Sequence, residues 1–224
     1  MNNSDTIDAQ LLDLMLRAGS RWVLWLLLLL SLAAVAVMID RIWFFLAEKP
    51  PRDRLAAAVR AMREGSAASA LAKLAGARSM EAAVVRVCLQ HAGDGPGAVE
   101  DHKAAAIETQ RLRYEKRLVF LGTLGNNAPF VGLFGTVLGI VRAFHDLAGS
   151  ALAGQGTQAV MSGIAESLVA TGVGLLVALP SVAMYNVLIR HVETTAASAE
   201  AMSREVIAYI KTPAASSAQG KEAA

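Results

Sequence analysis

The chain has 224 residues, of which 54% are hydrophobic and 18% charged, with a formal net charge of +2. That balance is too apolar for an ordinary soluble surface and too charged for a chain lying wholly in lipid. It describes a membrane protein with one sizeable extramembrane region. The small net charge leaves no electrostatic footprint for nucleic acid, and a single cysteine, Cys88, excludes a disulfide within this sequence and a cysteine-cluster metal site.

Residues 1–21 are polar and mixed, with Asp5, Asp8, Asp13, Arg17 and Arg21. Ile7, Leu11, Leu12, Leu14 and Met15 recur at helical spacing, which predicts a short amphipathic helix on the membrane surface. Residues 22–47 form the first transmembrane helix. Its apolar run spans 22–39, with Trp22 and Trp25 at the start and Trp43 near the end, where interfacial aromatics sit. Ala34-Val35-Ala36 resembles a signal-peptide cleavage site, but the leader is long and acidic and the apolar run continues past it. A retained span is the reading we adopt, closed by Asp40 and Arg41 at a water interface.

Residues 48–117 are rich in Ala, Arg, Lys and Glu and read as an extramembrane helical region. Pro50-Pro51 ends the preceding helix. Residues 52–64 read as a helix stopped by Gly65, and residues 79–93 as another, with Ser79 as N-cap and Gly93 as C-cap. The GDGPG cluster at 93–97 is a turn. No Gly or Pro intervenes from Ala98 to Lys116, so this helix is expected to run straight into the next span. Cys88 is expected to be a small buried apolar residue.

The second transmembrane helix covers 118–141, which is 24 residues without a charge. A loop is expected at 142–158, then a third transmembrane helix at 159–189. Uncharged runs of this length suffice to cross ~30 Å of hydrocarbon at a rise of ~1.5 Å per residue. No breaker follows Ile189 until Pro213, so the third helix should continue into water, and 190–224 ends in a tail of disordered composition. Thirteen of the 21 Lys and Arg residues lie in 48–117 and one in 142–158. The positive-inside rule therefore puts the large loop and the C-terminus in the cytoplasm, and the N-terminus and short loop on the far side.

Gly122, Gly125, Gly132, Gly135 and Gly139 stand 3, 7, 3 and 4 residues apart, and four of the five fall on one helical stripe. Gly163, Ser167, Ala170, Gly174 and Ser181 make a similar stripe in the third span. Small stripes let membrane helices approach closely, and the expected partners are helices of other copies of the chain. Pro129 and Pro180 are expected to kink or widen their helices. Asn126 and Asn127 need hydrogen-bond partners inside an apolar run. Thr136 and Thr171 can bond back to their own helices. Glu166 is costly to leave charged in lipid, ~2.5–3.5 kcal/mol at a helix centre, and is either a proton-pathway group or an interface anchor. Positions 166 and 171 lie ~140° apart on an ideal helix. His91, His102, His145 and His191 show no metal-ligand spacing and are expected to be solvated surface groups. No nucleophile-elbow or phosphate-loop motif is present.

Two stretches carry a resemblance: APFVGLFGTVLGI at 128–140 and GIAESLVATGVGLLVALPSVAMYN at 163–186. They resemble the signature segments of the ExbB/TolQ/MotA proton-channel family, and the three-span layout is similar to its ExbB/TolQ branch. The resemblance implies an all-α membrane protein with three transmembrane helices, its helices extending into the cytoplasm, assembled as a pentameric ring in the bacterial inner membrane. It implies a motor stator, not an enzyme, driven by the proton-motive force, with no cofactor. It also implies a pair of single-span subunits of the ExbD/TolR type, which supply an essential Asp, and a TonB/TolA-like or gliding-machinery partner. By motif position, Thr136, Glu166 and Thr171 match the family's pore-lining polar residues. Gly125, Gly132, Gly135, Gly139, Gly163 and Gly174 then become helix-packing contacts, and Pro129 and Pro180 helix kinks. The alternative is a non-conducting scaffold for an envelope complex, in which Glu166 and the threonines only hold helix register.

Overall fold

The computed structural model describes residues 21–48, 50, 52–64, 66–150 and 156–211. The amphipathic helix expected before Arg21 and the tail expected after Lys211 lie outside the described residues. Among the described residues seven α-helices run in order: α1 Arg21–Ala47, α2 Arg52–Arg63, α3 Ala67–Lys73, α4 Met80–Gln90, α5 Pro96–Glu115, α6 Leu118–Ser150 and α7 Gly156–Lys211. Among the described residues there is no strand. Three of the helices, α1, α6 and α7, are long and apolar enough to cross a membrane.

The described residues divide into two compact units, one within 21–39 and 117–186, the other within 40–116 and 187–211. In the first unit, Val23, Leu27 and Ala34 of α1, Leu121, Leu124, Ala128 and Leu138 of α6, and Val177 and Ala178 of α7 form one buried cluster. Large apolar side chains point outward around it, including Trp25, Leu29, Leu32, Phe130, Leu176 and Leu179. In water that surface would be an aggregation liability; on spanning helices it faces lipid or other helices.

The second unit is a small helical assembly that exposes Trp43, Leu46, Leu112 and Val187 among its polar residues. Ser79 caps α4 as expected, its Oγ accepting from the Ala82 N–H at 3.4 Å. The C-cap is His91 rather than Gly93, because a 3₁₀ turn at Ala92–Asp94 follows at once and Gly95, at φ 94°, takes the reversal. Helix α3 was not expected: seven Ala-rich residues carry no clear period, and Ser66 starts it by accepting from the Ser69 N–H. Tyr114 is buried against Phe44 and Phe45, edge to face at 5.2 and 5.6 Å, and its hydroxyl accepts from the Met80 N–H at 3.0 Å. Burial, then the carboxylate of Glu48, push its phenol above the ordinary range. Glu48 is ion-paired with Arg113. Arg41, expected at a water interface, is buried, pairs with Asp40 at 2.8 Å and lies over the Phe44 ring, while α1 continues past it to Ala47. Cys88 is fully buried, as the sequence suggested, and burial raises its thiol to about 11.

Three further expectations change. Helix α5 does not run into the next span: it stops at Glu115, Lys116 is extended at ψ 130°, and Arg117 takes φ 69° before α6 begins. A left-handed residue ends a helix as a C-terminal glycine would, at a cost of roughly 1–2 kcal/mol when it carries a Cβ. The loop expected at 142–158 is helical over its first nine residues, because α6 continues to Ser150 and α7 begins at Gly156. Arg142 and Asp146 lie one turn apart on this extension, 3.9 Å from each other. The histidines are also not all solitary: His191 packs on Phe45, and His91 stacks on His102. The continuation of the third helix through Lys211 agrees with its lack of breakers.

Candidate functional site at the crossing of α6 and α7

Within the first unit, α6 and α7 run antiparallel, and their small residues meet each other. A Cβ placed on Gly125 would lie 2.4 Å from Val182 Cγ2, one on Gly132 2.7 Å from the Ala170 carbonyl oxygen, and one on Gly139 2.4 Å from Ser167 Cβ. From the other side, a Cβ on Gly174 would come within 2.7 Å of the Ala128 carbonyl oxygen, and one on Gly163 within 2.8 Å of Ala143 Cβ. Gly135 faces Ala170 and also Val23 of α1, at 2.8 and 3.0 Å. The two stripes expected to seek other copies therefore seat against one another in one chain. The contacts step down α6 as they step up α7, which is how two small-residue stripes zip without a hydrophobic drive. Pro129 and Pro180 lie inside helices that run on through them.

Thr136, one turn along α6 from Gly132, is 6% exposed. Its hydroxyl donates to the Leu133 carbonyl at 2.6 Å, so it is satisfied by its own helix. Thr171 is different. Its Cα stands 3.0 Å from where a Cβ on Gly132 would be, and its Oγ1 is buried with no hydrogen-bond partner among the described residues. Ser167 and Ser181, on the same face of α7, do bond back, to Ile164 and Val177 at 2.7 Å each. An unmade hydroxyl bond in an apolar seam costs ~1–3 kcal/mol, a cost that Ser167 and Ser181 avoid by bonding back.

Glu166 is not on the seam. It precedes Ser167 by one residue, which turns it ~100° away, and half of its side chain is exposed. Its nearest described cation is Arg21, the first residue of α1, with Nε 3.7 Å from Oε1. The sequence had offered no partner for Glu166; the usable signal was a basic residue at the edge of the first apolar run. The structure thus places Thr171 against Gly132 at the crossing, buries Thr136 one turn along α6 from Gly132, and leaves Glu166 on an outer flank, in keeping with the angular offset between positions 166 and 171. Asn126 and Asn127 lie exposed beside Tyr185, lining a groove of about 290 Å³ with Val119, Gly122 and Thr123. Asn127 Nδ2 donates to the Thr123 carbonyl at 2.7 Å, which supplies part of what the amides need.

Comparison with known proteins covers this crossing. The MotA/TolQ/ExbB proton channel family matches residues 74–201, more than half of the chain, from the end of the α3 region through most of α7. An ExbB-like protein of Helicobacter pylori is 51% identical over 82 residues, covering 37% of this chain and 53% of that protein. The Tol-Pal system protein TolQ of Pseudomonas aeruginosa is 44% identical over 101 residues, 43% of each chain. The biopolymer transport protein ExbB of Aquifex aeolicus is 40% identical over 107 residues, 48% of this chain and 70% of that one. The chain spans about half the length of the first two relatives. With three helices able to span a membrane and a match that takes in the whole α6–α7 crossing, the chain belongs to the MotA/TolQ/ExbB proton channel family.

Proposed function

We propose that this chain is a ring subunit of an inner-membrane motor driven by the proton-motive force, working with a pair of single-span subunits of the ExbD/TolR type. In this reading it acts mechanically on an envelope, transport or gliding-motility machine. Five copies form the ring, as the resemblance implies. The region 48–117 and the end of α7 lie in the cytoplasm, and the short connection between α6 and α7 on the far side, as the basic residues suggest.

The observation that carries the proposal is the polar set Thr136, Thr171 and Glu166 inside spanning helices that match a proton-channel family. Thr171 has a buried hydroxyl with an open bonding capacity, and Glu166 exposes half of its side chain close to the exposed Leu168 and Val169. A carboxylate at such a place requires water, a proton or a cation. The ~140° between Glu166 and Thr171 is accommodated when the proton path passes between chains, with Glu166 meeting groups of a neighbour or of the single-span partner. Proton flux into vesicles reconstituted with both subunits tests this. Glu166→Gln and Thr171→Ala should each reduce flux and coupled work, and full flux in both variants would remove the roles assigned here.

One observation favours a second reading. Arg21 begins α1, so its contact with Glu166 sets Glu166 level with the start of the first span, where an anchor belongs. In a non-conducting scaffold that ion pair would fix helix register and nothing more. Arg21→Gln then mimics Glu166→Gln in stability while flux is absent from the wild type.

A further inference from the structure

The turn between α4 and α5 assembles three metal-ligating side chains that the motor reading does not use. His91 closes α4, its N–H donating to the Val87 carbonyl at 3.2 Å. The 3₁₀ turn then presents Asp94, whose N–H returns to the His91 carbonyl at 3.0 Å. Gly95, at φ 94°, reverses the chain, and α5 packs back against α4 so that His102, in the second turn of α5, lies over His91. One ligand atom from each of His91, Asp94 and His102 lies within 4.8 Å of the others. His91 Nδ1 is 2.7 Å from Asp94 Oδ2, and the two imidazole rings stack at 3.7 Å with 16° between their planes.

We propose that His91, Asp94 and His102 form a binding site for a divalent transition cation of the zinc class. Two imidazole nitrogens and one carboxylate oxygen suit zinc and its neighbours and not magnesium or calcium, which take all-oxygen shells. Ligands sharing one such tetrahedral ion, at ~2.0–2.2 Å each, stand ~3.3–3.6 Å apart, so the widest separation, up to 4.8 Å, closes by no more than about 1.5 Å. The stacked rings hold their nitrogens side by side, and convergence requires one ring to turn. His102 is exposed and has room to do so, and the solvent side leaves a further position for water. The sequence concealed the set because its spacings of three and eight follow no helical metal motif; only the reversal at Gly95 makes it local. A bound ion would staple α4 to α5 across that reversal.

The test is titration calorimetry of the tag-free, detergent-purified full chain with Zn²⁺, paired with the visible absorption of bound Co²⁺. One site per chain is expected. His102→Ala and Asp94→Asn should each weaken binding by at least about tenfold, the lower end of what loss of even an outer partner costs a metal site. His145→Ala, on α6, should leave binding unchanged, and circular dichroism should report equal helix content in all variants. No saturable binding, or binding that survives His102→Ala unchanged, overturns the proposal. Neither result depends on proton flux, so the motor reading stands or falls separately.

Discussion

The close crossing of α6 and α7 makes a quantitative demand on Gly132. A Cβ there would sit 2.7 Å from the Ala170 carbonyl oxygen, 3.0 Å from Thr171 Cα and 3.2 Å from Gly174 Cα. All three are backbone atoms, so no side chain can swing aside and the helices themselves must separate. Overpacking of this kind costs ~1–3 kcal/mol. Alanine returns roughly 0.8–1.0 kcal/mol of helix propensity relative to glycine, leaving Gly132→Ala destabilised by up to about 2 kcal/mol. Gly172 supplies the control, since a Cβ at that position meets nothing within 4 Å. Gly172→Ala should gain up to about 1 kcal/mol from propensity alone. For a chain of this size 1 kcal/mol moves the thermal midpoint by roughly 2–4 °C, so the two variants should fall on opposite sides of the wild type in detergent, several degrees apart. Equal midpoints for Gly132→Ala and Gly172→Ala would refute the close approach of α6 and α7 and with it the packing role of the small-residue stripes.

Further outcomes follow from the second unit and the helix break. Cys88 should resist alkylation by iodoacetamide at neutral pH in the folded chain and react once the chain is denatured. Because burial raises its thiol to about 11 from 9.0, the folded state holds its proton more tightly. The associated stability, on the order of 2 kcal/mol, is present below pH 9 and should decline as pH rises towards 11 in denaturant titrations. Glu200 is held below the usual carboxylate range, first by its hydrogen bond with Lys103 at 3.0 Å and then by Arg204. Its contribution is therefore present above the ordinary carboxylate range and lost as pH falls through the lowered value. A double-mutant cycle of Lys103→Met and Glu200→Gln should give a coupling of about 0.5–1.5 kcal/mol, and zero coupling would dismiss the pair as incidental. Arg117→Gly should preserve or raise the thermal midpoint, whereas Arg117→Val, β-branched at φ 69°, should lower it by several degrees.

Much of the architecture was legible because it rests on patterns that local physics enforces. Long uncharged runs predicted α1, α6 and α7, the absence of Gly and Pro after Ile189 predicted that α7 continues, and Ser79 announced the start of α4. The motif stretches at 128–140 and 163–186 pointed to the family that the comparisons establish. Glu166 stood out because a carboxylate beside an apolar run is expensive wherever the chain folds. Other features depend on neighbours that sequence spacing does not name. The break at Lys116-Arg117 has no glycine or proline to mark it and exists because an arginine accepts φ 69° there. The first turns after Val141 remained helical although a loop was expected, since Arg142 to Ala148 contain no residue that stops a helix.

From its residues alone the chain determines an all-helical membrane protein, three spans, the polar candidates Thr136, Glu166 and Thr171, and stripes able to pack closely. Periodicity, charge and the cost of polar groups in lipid act along one segment and need no partner to be read. Only the tertiary structure decided that the stripes of α6 and α7 meet within one chain, that Thr171 is left with an unmet hydroxyl while Thr136 is not, and that Glu166 turns outward beside Arg21. It also decided that His91, Asp94 and His102 come together. The meeting of the stripes, the pairing of Glu166 with Arg21 and the histidine–aspartate set are contacts between segments distant in sequence or across a reversal, and the register between two helices is set by the closest approach their backbones can make.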